Sequence, residues 1–210
     1  INDEADGNLY LATNTTGVAD SVGTDDDRPT ISVTGPTPTA EGGAAVFTVS
    51  LDKTATRPIS FTPVLSSGTA TVGTDTAAAN GIEVSTDNGA NWSTVSGPVV
   101  IAAGQSVVLL RVATKDDSLY EQNETFTLDT GYIAGTVKNP FGATASATIV
   151  DNDPAPVFTI TPAAGVEGSG ITFTVTRTGD AQAAQTVTCT TSVASGDTAT
   201  PGTDFTTTTA

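Results

Sequence analysis

The stretch Thr114-Lys115-Asp116-Asp117-Ser118-Leu119-Tyr120-Glu121-Gln122-Asn123-Glu124-Thr125-Phe126-Thr127-Leu128 runs from a loop crowded with carboxylates into an alternating apolar strand. Its four acids, Asp116, Asp117, Glu121 and Glu124, fall within nine positions. Like charges that close repel one another unless a cation sits among them. Hard oxygen donors in a flexible loop suit Ca2+, which takes about six to eight oxygens at about 2.3–2.6 Å. What matters next is which strands flank this loop and which other acids reach it.

The rest of the composition narrows the partners. Against 23 acids the chain has 7 bases and no His, for a net charge of −16. Nucleic acid is therefore not an expected partner, because phosphate binding needs a basic face, and anionic membrane surfaces are disfavoured for the same reason. Thr, Val, Ala and Gly dominate and Met is absent, which suits strands and turns. No run of eighteen apolar residues occurs, so no membrane insertion is expected. Cys189 is the only cysteine, and Val187, Cys189 and Thr191 alternate as in a strand, so Cys189 is read as a small buried apolar residue.

Self-comparison organises the chain. Asp25-Asp26-Asp27 before Arg-Pro-Thr-Ile-Ser-Val recurs 126 residues later as Asp151-Asn152-Asp153 before Pro-Ala-Pro-Val-Phe-Thr-Ile. Glu41-Gly42-Gly43 recurs as Glu167-Gly168-Ser169, and Gly68-Thr69-Ala70-Thr71-Val72-Gly73-Thr74-Asp75 as Asp197-Thr198-Ala199-Thr200-Pro201-Gly202-Thr203-Asp204. Residues 1–28 are read as the tail of one repeat, 29–153 as a complete repeat and 154–210 as the front of a third. A repeat cut in mid-fold cannot bury its apolar faces alone. The chain is thus expected to be a window from a longer array, or to have its broken ends completed by neighbouring copies.

Within 29–153, short alternating runs bounded by Gly, Pro and Asp predict strands near 30–34, 45–51, 58–65, 98–102, 106–114, 124–130 and 143–150. Seven strands at this spacing predict an all-β fold, an immunoglobulin-like antiparallel sandwich repeated in tandem. Asp87-Asn88-Gly89 in the insertion at 82–97 predicts a hairpin, since Asn and Gly tolerate positive φ. If each strand reverses direction, the first, third and fifth connections and the end of the seventh strand share one pole. That parity assembles Glu41, Asp75, Asp116, Asp117, Glu121, Glu124, Asp151 and Asp153, with weaker, incomplete sets at Asp3, Glu4, Asp25, Asp26, Asp27, Glu167 and Asp204. Eight carboxylates suggest two or more Ca2+ ions sharing ligands. Zinc or copper would want His or Cys, which this repeat lacks.

These motifs resemble the Calx-β repeat, a family found in the regulatory loop of sodium–calcium exchangers and, in tandem, in very large bacterial surface adhesins. The residues that carry the resemblance are Glu41-Gly42-Gly43, the run from Gly68 to Asp75, Ala103-Gly104-Gln105, the acids of 116–124 before Phe126, and Thr148-Ile149-Val150-Asp151-Asn152-Asp153. The resemblance implies that the acidic positions are Ca2+ ligands. Three departures stand out: Thr76 where the family often has an aromatic residue, Asn152 in place of a carboxylate, and Gly7 where the full repeat has Glu124.

The function expected from this reading is a Ca2+-stiffened, non-catalytic extender repeat of an extracellular bacterial adhesin, biofilm protein or filament. Its partners would be neighbouring repeats or copies of itself, with a glycan or surface ligand reached through other parts of the parent protein. Pro154 and Pro156 follow Asp153, so the acidic pole is also the joint to the next repeat. Alternatives are a carbohydrate-binding module using Trp92, Tyr120, Tyr132 and Phe141, a self-assembling head-to-tail subunit, and a Ca2+ sensor. Catalysis is not expected, because a chain without His lacks a triad or metal–water site.

Overall fold

A computed structural model describes residues 28–133 and 136–209, and the expectations for Asp3, Glu4, Asp25, Asp26 and Asp27 lie outside them. The described residues fall into two units, 28–117 with 122–152 and 118–121 with 153–209. In chain order the strands are β1 (Ile31–Thr34), β2 (Thr39–Ala40), β3 (Ala44–Leu51), β4 (Ile59–Phe61), β5 (Val64–Ser67), β6 (Glu83–Ser85), β7 (Ser93–Thr94), β8 (Val99–Ile101), β9 (Val107–Ala113), β10 (Leu119–Tyr120), β11 (Glu124–Asp129) and β12 (Thr144–Val150). The second unit continues with β13 (Val157–Thr161), β14 (Thr174–Thr178) and β15 (Asp180–Ala181).

The first unit is the expected sandwich. One sheet has the order β1-β3-β9-β6-β7, the other β2-β12-β11-β5, and β4 pairs with β8. Alternation decides the inner faces: Ala45, Phe47, Val49 and Leu51 of β3 are buried, as are Phe126 and Leu128 of β11. Phe47 and Phe126 meet across the core edge to face, with ring centroids 5.9 Å apart. The single strand predicted at 58–65 is broken at Thr62-Pro63 into β4 and β5, which pair with different partners. Pro63 has no N–H to continue a ladder, and that is where the chain changes sheets.

Two close approaches fix the acidic pole. A Cβ on Gly68 would stand 2.4 Å from the Thr125 carbonyl oxygen, so the third connection can lie against β11 only with glycine there. Gly42 takes φ +69° in the turn after β2, with its Cα side against Asp116.

The insertion does form a hairpin. Glu83 pairs with Thr94 and Val84 with Ser93, and β6 extends the first sheet beside β9. The connection is longer than a two-residue turn and is organised by Asp87, whose Oδ1 accepts from Ser85 Oγ (2.7 Å) and Asn91 N (2.9 Å). Asn88 takes φ 58° and Gly89 φ 89°.

In the second unit, β13 and β14 pair as β1 and β3 do, with one shift. Ile31 faces Leu51 and Val33 faces Val49, whereas Phe158 faces Arg177 and Ile160 faces Val175. Phe158 thus takes the place of Ile31 at an offset of 127 (158 − 31), while Val175 takes that of Val49 at 126 (175 − 49). The shift puts Phe158 and Ile160 on the face of Val175, the register hydrophobic phase demands. Both strands are exposed along their length. Cys189 is exposed, not buried as the alternation at 187–191 predicts; its neighbourhood has only an isolated bridge from Thr190 to Thr209. No second sheet covers this face among the described residues.

Candidate metal centre

The acids of the first unit reach its pole by three local devices. Antiparallel pairing of Glu124 with Ile149 puts the end of β12 beside the start of β11, and Glu124 itself is buried. Parallel pairing of β2 with β12 brings the next turn alongside, where Glu41 N donates to Val150 O at 3.2 Å. The third connection folds on itself: Asp75 Oδ2 accepts from Thr71 N at 2.5 Å, and Lys115 N donates to the Asp75 carbonyl at 2.9 Å. Asp75 is tied in this way to the strand that leads into Asp116 and Asp117.

One carboxylate oxygen of Glu41 and one of Asp151 lie within 4.8 Å of each other, and both residues are half-buried. Oε2 of Glu41 is closed off from solvent. The donor set is entirely hard oxygen, which fits Ca2+ and does not fit a soft or borderline metal. Asp75, Asp116, Asp117 and Glu124 lie outside that pair, and Glu121 and Asp153 belong to the second unit.

Asn152, which stands in place of a carboxylate, has a use of its own. Its Nδ2 donates to the Glu41 carbonyl (3.4 Å) and to Asp116 Oδ1 (3.2 Å), joining the first and fifth connections. An amide offers N–H groups as well as an oxygen, and here the N–H side engages a carboxylate. Glu121 is held elsewhere, since β10 pairs in parallel with β15 and Gln182 Nε2 donates to Glu121 Oε1 at 2.8 Å. Asp204 repeats the Asp75 device, with Oδ2 accepting from Thr200 N at 2.7 Å, and Glu167 lies in an exposed turn.

The aromatic residues sort into two groups. Trp92 belongs to the inserted hairpin: its Nε1 donates to Gly89 O (3.1 Å) and Arg111 stacks 4.4 Å from its ring, itself held by Glu83 at 2.6 Å. Tyr120 is half-buried in β10, whereas Tyr132 and Phe141 stand exposed as an edge-to-face pair. Sequence reasoning missed a cluster of cations at the other pole, around 52–58 and 136–138. The parity that gathered the acids would have found it if applied to the second and sixth connections.

The profile of the Calx-beta domain matches residues 24–95 and 82–153, two matches that overlap and together span 130 residues (153 − 24 + 1) of the 210. Similar solved structures include the apo form of the Calx CBD1 domain, at 20% identity and TM-score 0.43 over 59% of this chain and 99% of that one. CBD12 of CALX1.2 (22%, TM-score 0.45, 63% of this chain) and the calcium binding domain CBD12 of CALX1.1 (21%, 0.46, 61%) are similar too. The chain spans only 50% and 46% of the length of those two. No curated protein matches the chain. The match across the sandwich and its acidic pole shows that the chain belongs to the Calx-β domain family, whose members are Ca2+-binding β-sandwich modules.

Proposed function

We propose that the sandwich at 28–152 is a Ca2+-rigidified structural repeat of an extracellular bacterial adhesin or filament, with no catalytic role. The observation that carries this reading is the convergence of Glu41 and Asp151, the latter just before Asp153, Pro154 and Pro156 in the chain. A cation held there by Glu41 and Asp151, with Asp75, Asp116, Asp117 and Glu124 as further candidate ligands and Glu121 at the loop's far end, would neutralise the pole and fix the end of β12. It would also stiffen the Pro-restrained segment that follows. Neighbouring repeats or copies of the chain are its partners in this reading. Millimolar extracellular Ca2+ fills even weak sites of this type, which makes the cell surface the fitting location.

Removal of Ca2+ by chelator should lower the melting temperature of this unit. A ligand at about a hundred times its Kd contributes about 2.7 kcal/mol. A domain of this size responds with roughly 3–4 °C per kcal/mol. Small-angle scattering of the full chain should also show a more flexible molecule after chelation. Melting and scattering that ignore chelator would overturn the reading.

A further inference from the structure

The fifth connection, which opens at Thr114, is tied to the first and the third by hydrogen bonds within the chain. Toward the first, Thr114 N donates to Gly43 O at 2.9 Å and its Oγ1 to Ala40 O at 3.0 Å. Toward the third, Lys115 N donates to Asp75 O at 2.9 Å and its Nζ to Gly73 O. Gly42 lets Asp116 come close, since a Cβ there would stand 3.1 Å from the Cβ of Asp116. Glu41 N, donating to Val150 O at 3.2 Å, ties the first connection to β12. Asn152, two residues further on, closes the triangle: its Nδ2 donates to Glu41 O at 3.4 Å and to Asp116 Oδ1 at 3.2 Å. Both acceptors are oxygens with no proton to give, so only the N–H side of the amide can meet them. A carboxylate in this place would lose both bonds and set a second negative charge against Asp116.

We infer that Asn152 is a positioning residue of this centre, an uncharged staple that holds the first connection, the fifth connection and the end of β12 together whether or not a cation is bound. The inference deepens the Ca2+ reading and rests on it for the purpose of the staple, but the bonds themselves run between groups of the chain. Asn152 thus does two things that a carboxylate could not do together. It donates to the acids of the pole, and it adds no charge to them. The pole then depends on the ion for neutralisation more than for assembly.

Melting of the full chain, followed by Trp92 fluorescence in chelator and in saturating Ca2+, tests the proposal. In chelator, Asn152→Ala should melt about 2–3 °C below the unaltered chain, and Asn152→Asp about twice as far below. Saturating Ca2+ should leave the deficit of Asn152→Ala unchanged and shrink that of Asn152→Asp, because the ion offsets the added charge and does not replace the amide bonds. The exchanged pair D116N/N152D restores the net charge and turns the amide–carboxylate bond round, so in chelator it should recover at least half the loss of Asn152→Asp. In the E41Q/D151N background the cost of Asn152→Ala in chelator should persist, since Asn152 meets the backbone carbonyl of Glu41 and not its carboxylate. An Asn152→Ala melt in chelator that matches the unaltered chain, equal melts for Asn152→Ala and Asn152→Asp, or an exchanged pair as unstable as Asn152→Asp would each overturn the proposal. The chelator results standing while the unaltered chain ignores Ca2+ would support the staple and overturn the Ca2+ reading alone.

Discussion

The loop from Thr71 to Asp75 and the loop from Thr200 to Asp204 close in the same way, yet the strands that accompany them have opposite surroundings. In each, the Asp carboxylate accepts from the Thr backbone N–H, at 2.5 and 2.7 Å, and the Asp N–H returns to the Thr carbonyl, at 3.0 and 2.9 Å. A glycine at positive φ completes both, Gly73 at 95° and Gly202 at 83°. Around the first loop Phe47 and Val49 are fully buried, whereas around the second their counterparts Phe173 and Val175 are 50% and 40% exposed. The turn needs only its own five residues and forms wherever its sequence occurs. Burial of a strand needs an opposing sheet, and sequence identity within the strand does not supply one.

The largest break in this parallel should come from core truncation. Phe47→Ala should cost the first unit about 3–5 kcal/mol, read by urea unfolding through the fluorescence of Trp92, the only tryptophan. Phe173→Ala should change stability by less than about 0.5 kcal/mol, and amides of β14 should exchange with deuterium far faster than those of β3 in both proteins.

A smaller effect sharpens the comparison at the matched loops. Asp75→Ala and Asp204→Ala should each loosen their own turn, at a cost of about 1 kcal/mol for Asp75, whose loop is tied to the folded sandwich. If Asp75 is also a Ca2+ ligand, the loss for Asp75→Ala should grow in Ca2+, while the effect of Asp204→Ala should not respond to the ion. Equal Ca2+ dependence of the two variants would remove Asp75 from the site.

The smallest effect concerns the inserted hairpin. Hydrogen bonds from the Asn91 side chain and backbone and from Ser85 lower the Asp87 pKa from 3.8 to about 2. A depressed carboxylate stabilises the hairpin fully above its unfolded pKa, and that contribution is lost as pH falls from about 3.8 toward about 2. The amide shift of Asn91 should therefore titrate with a midpoint near 2, and Asp87→Ala should erase the transition.

How much of this was legible depended on how local the cause was. The hairpin at Asp87-Asn88-Gly89, the sandwich alternation of β3 and β11, and the gathering of loops at one pole all follow from short-range pattern and strand parity. Pro63 was equally visible, yet its consequence, a strand split between two pairings, depends on which neighbours each half finds. The alignment that carries Asp25-Asp26-Asp27 onto Asp151-Asn152-Asp153, 126 residues on, matches Val157 to Ile31. The ladder sets Phe158 there instead, because apolar phase outweighs letter-by-letter similarity. At the site, the acids were readable as a set, but which of them approach within one ion's reach is a tertiary fact, and the meeting of Glu41 with Asp151 comes from the parallel docking of β2 on β12. Asn152 shows the same limit, since its role depends on which end of the amide faces Asp116.

The central claim is that the acidic pole of residues 28–152 holds Ca2+, and calorimetric titration of the full chain with Ca2+ tests it most directly. The account predicts saturable binding that raises the melting temperature and is lost, together with that rise, in E41Q/D151N. Absence of binding by a folded chain, or undiminished binding and stabilisation in that variant, would contradict it.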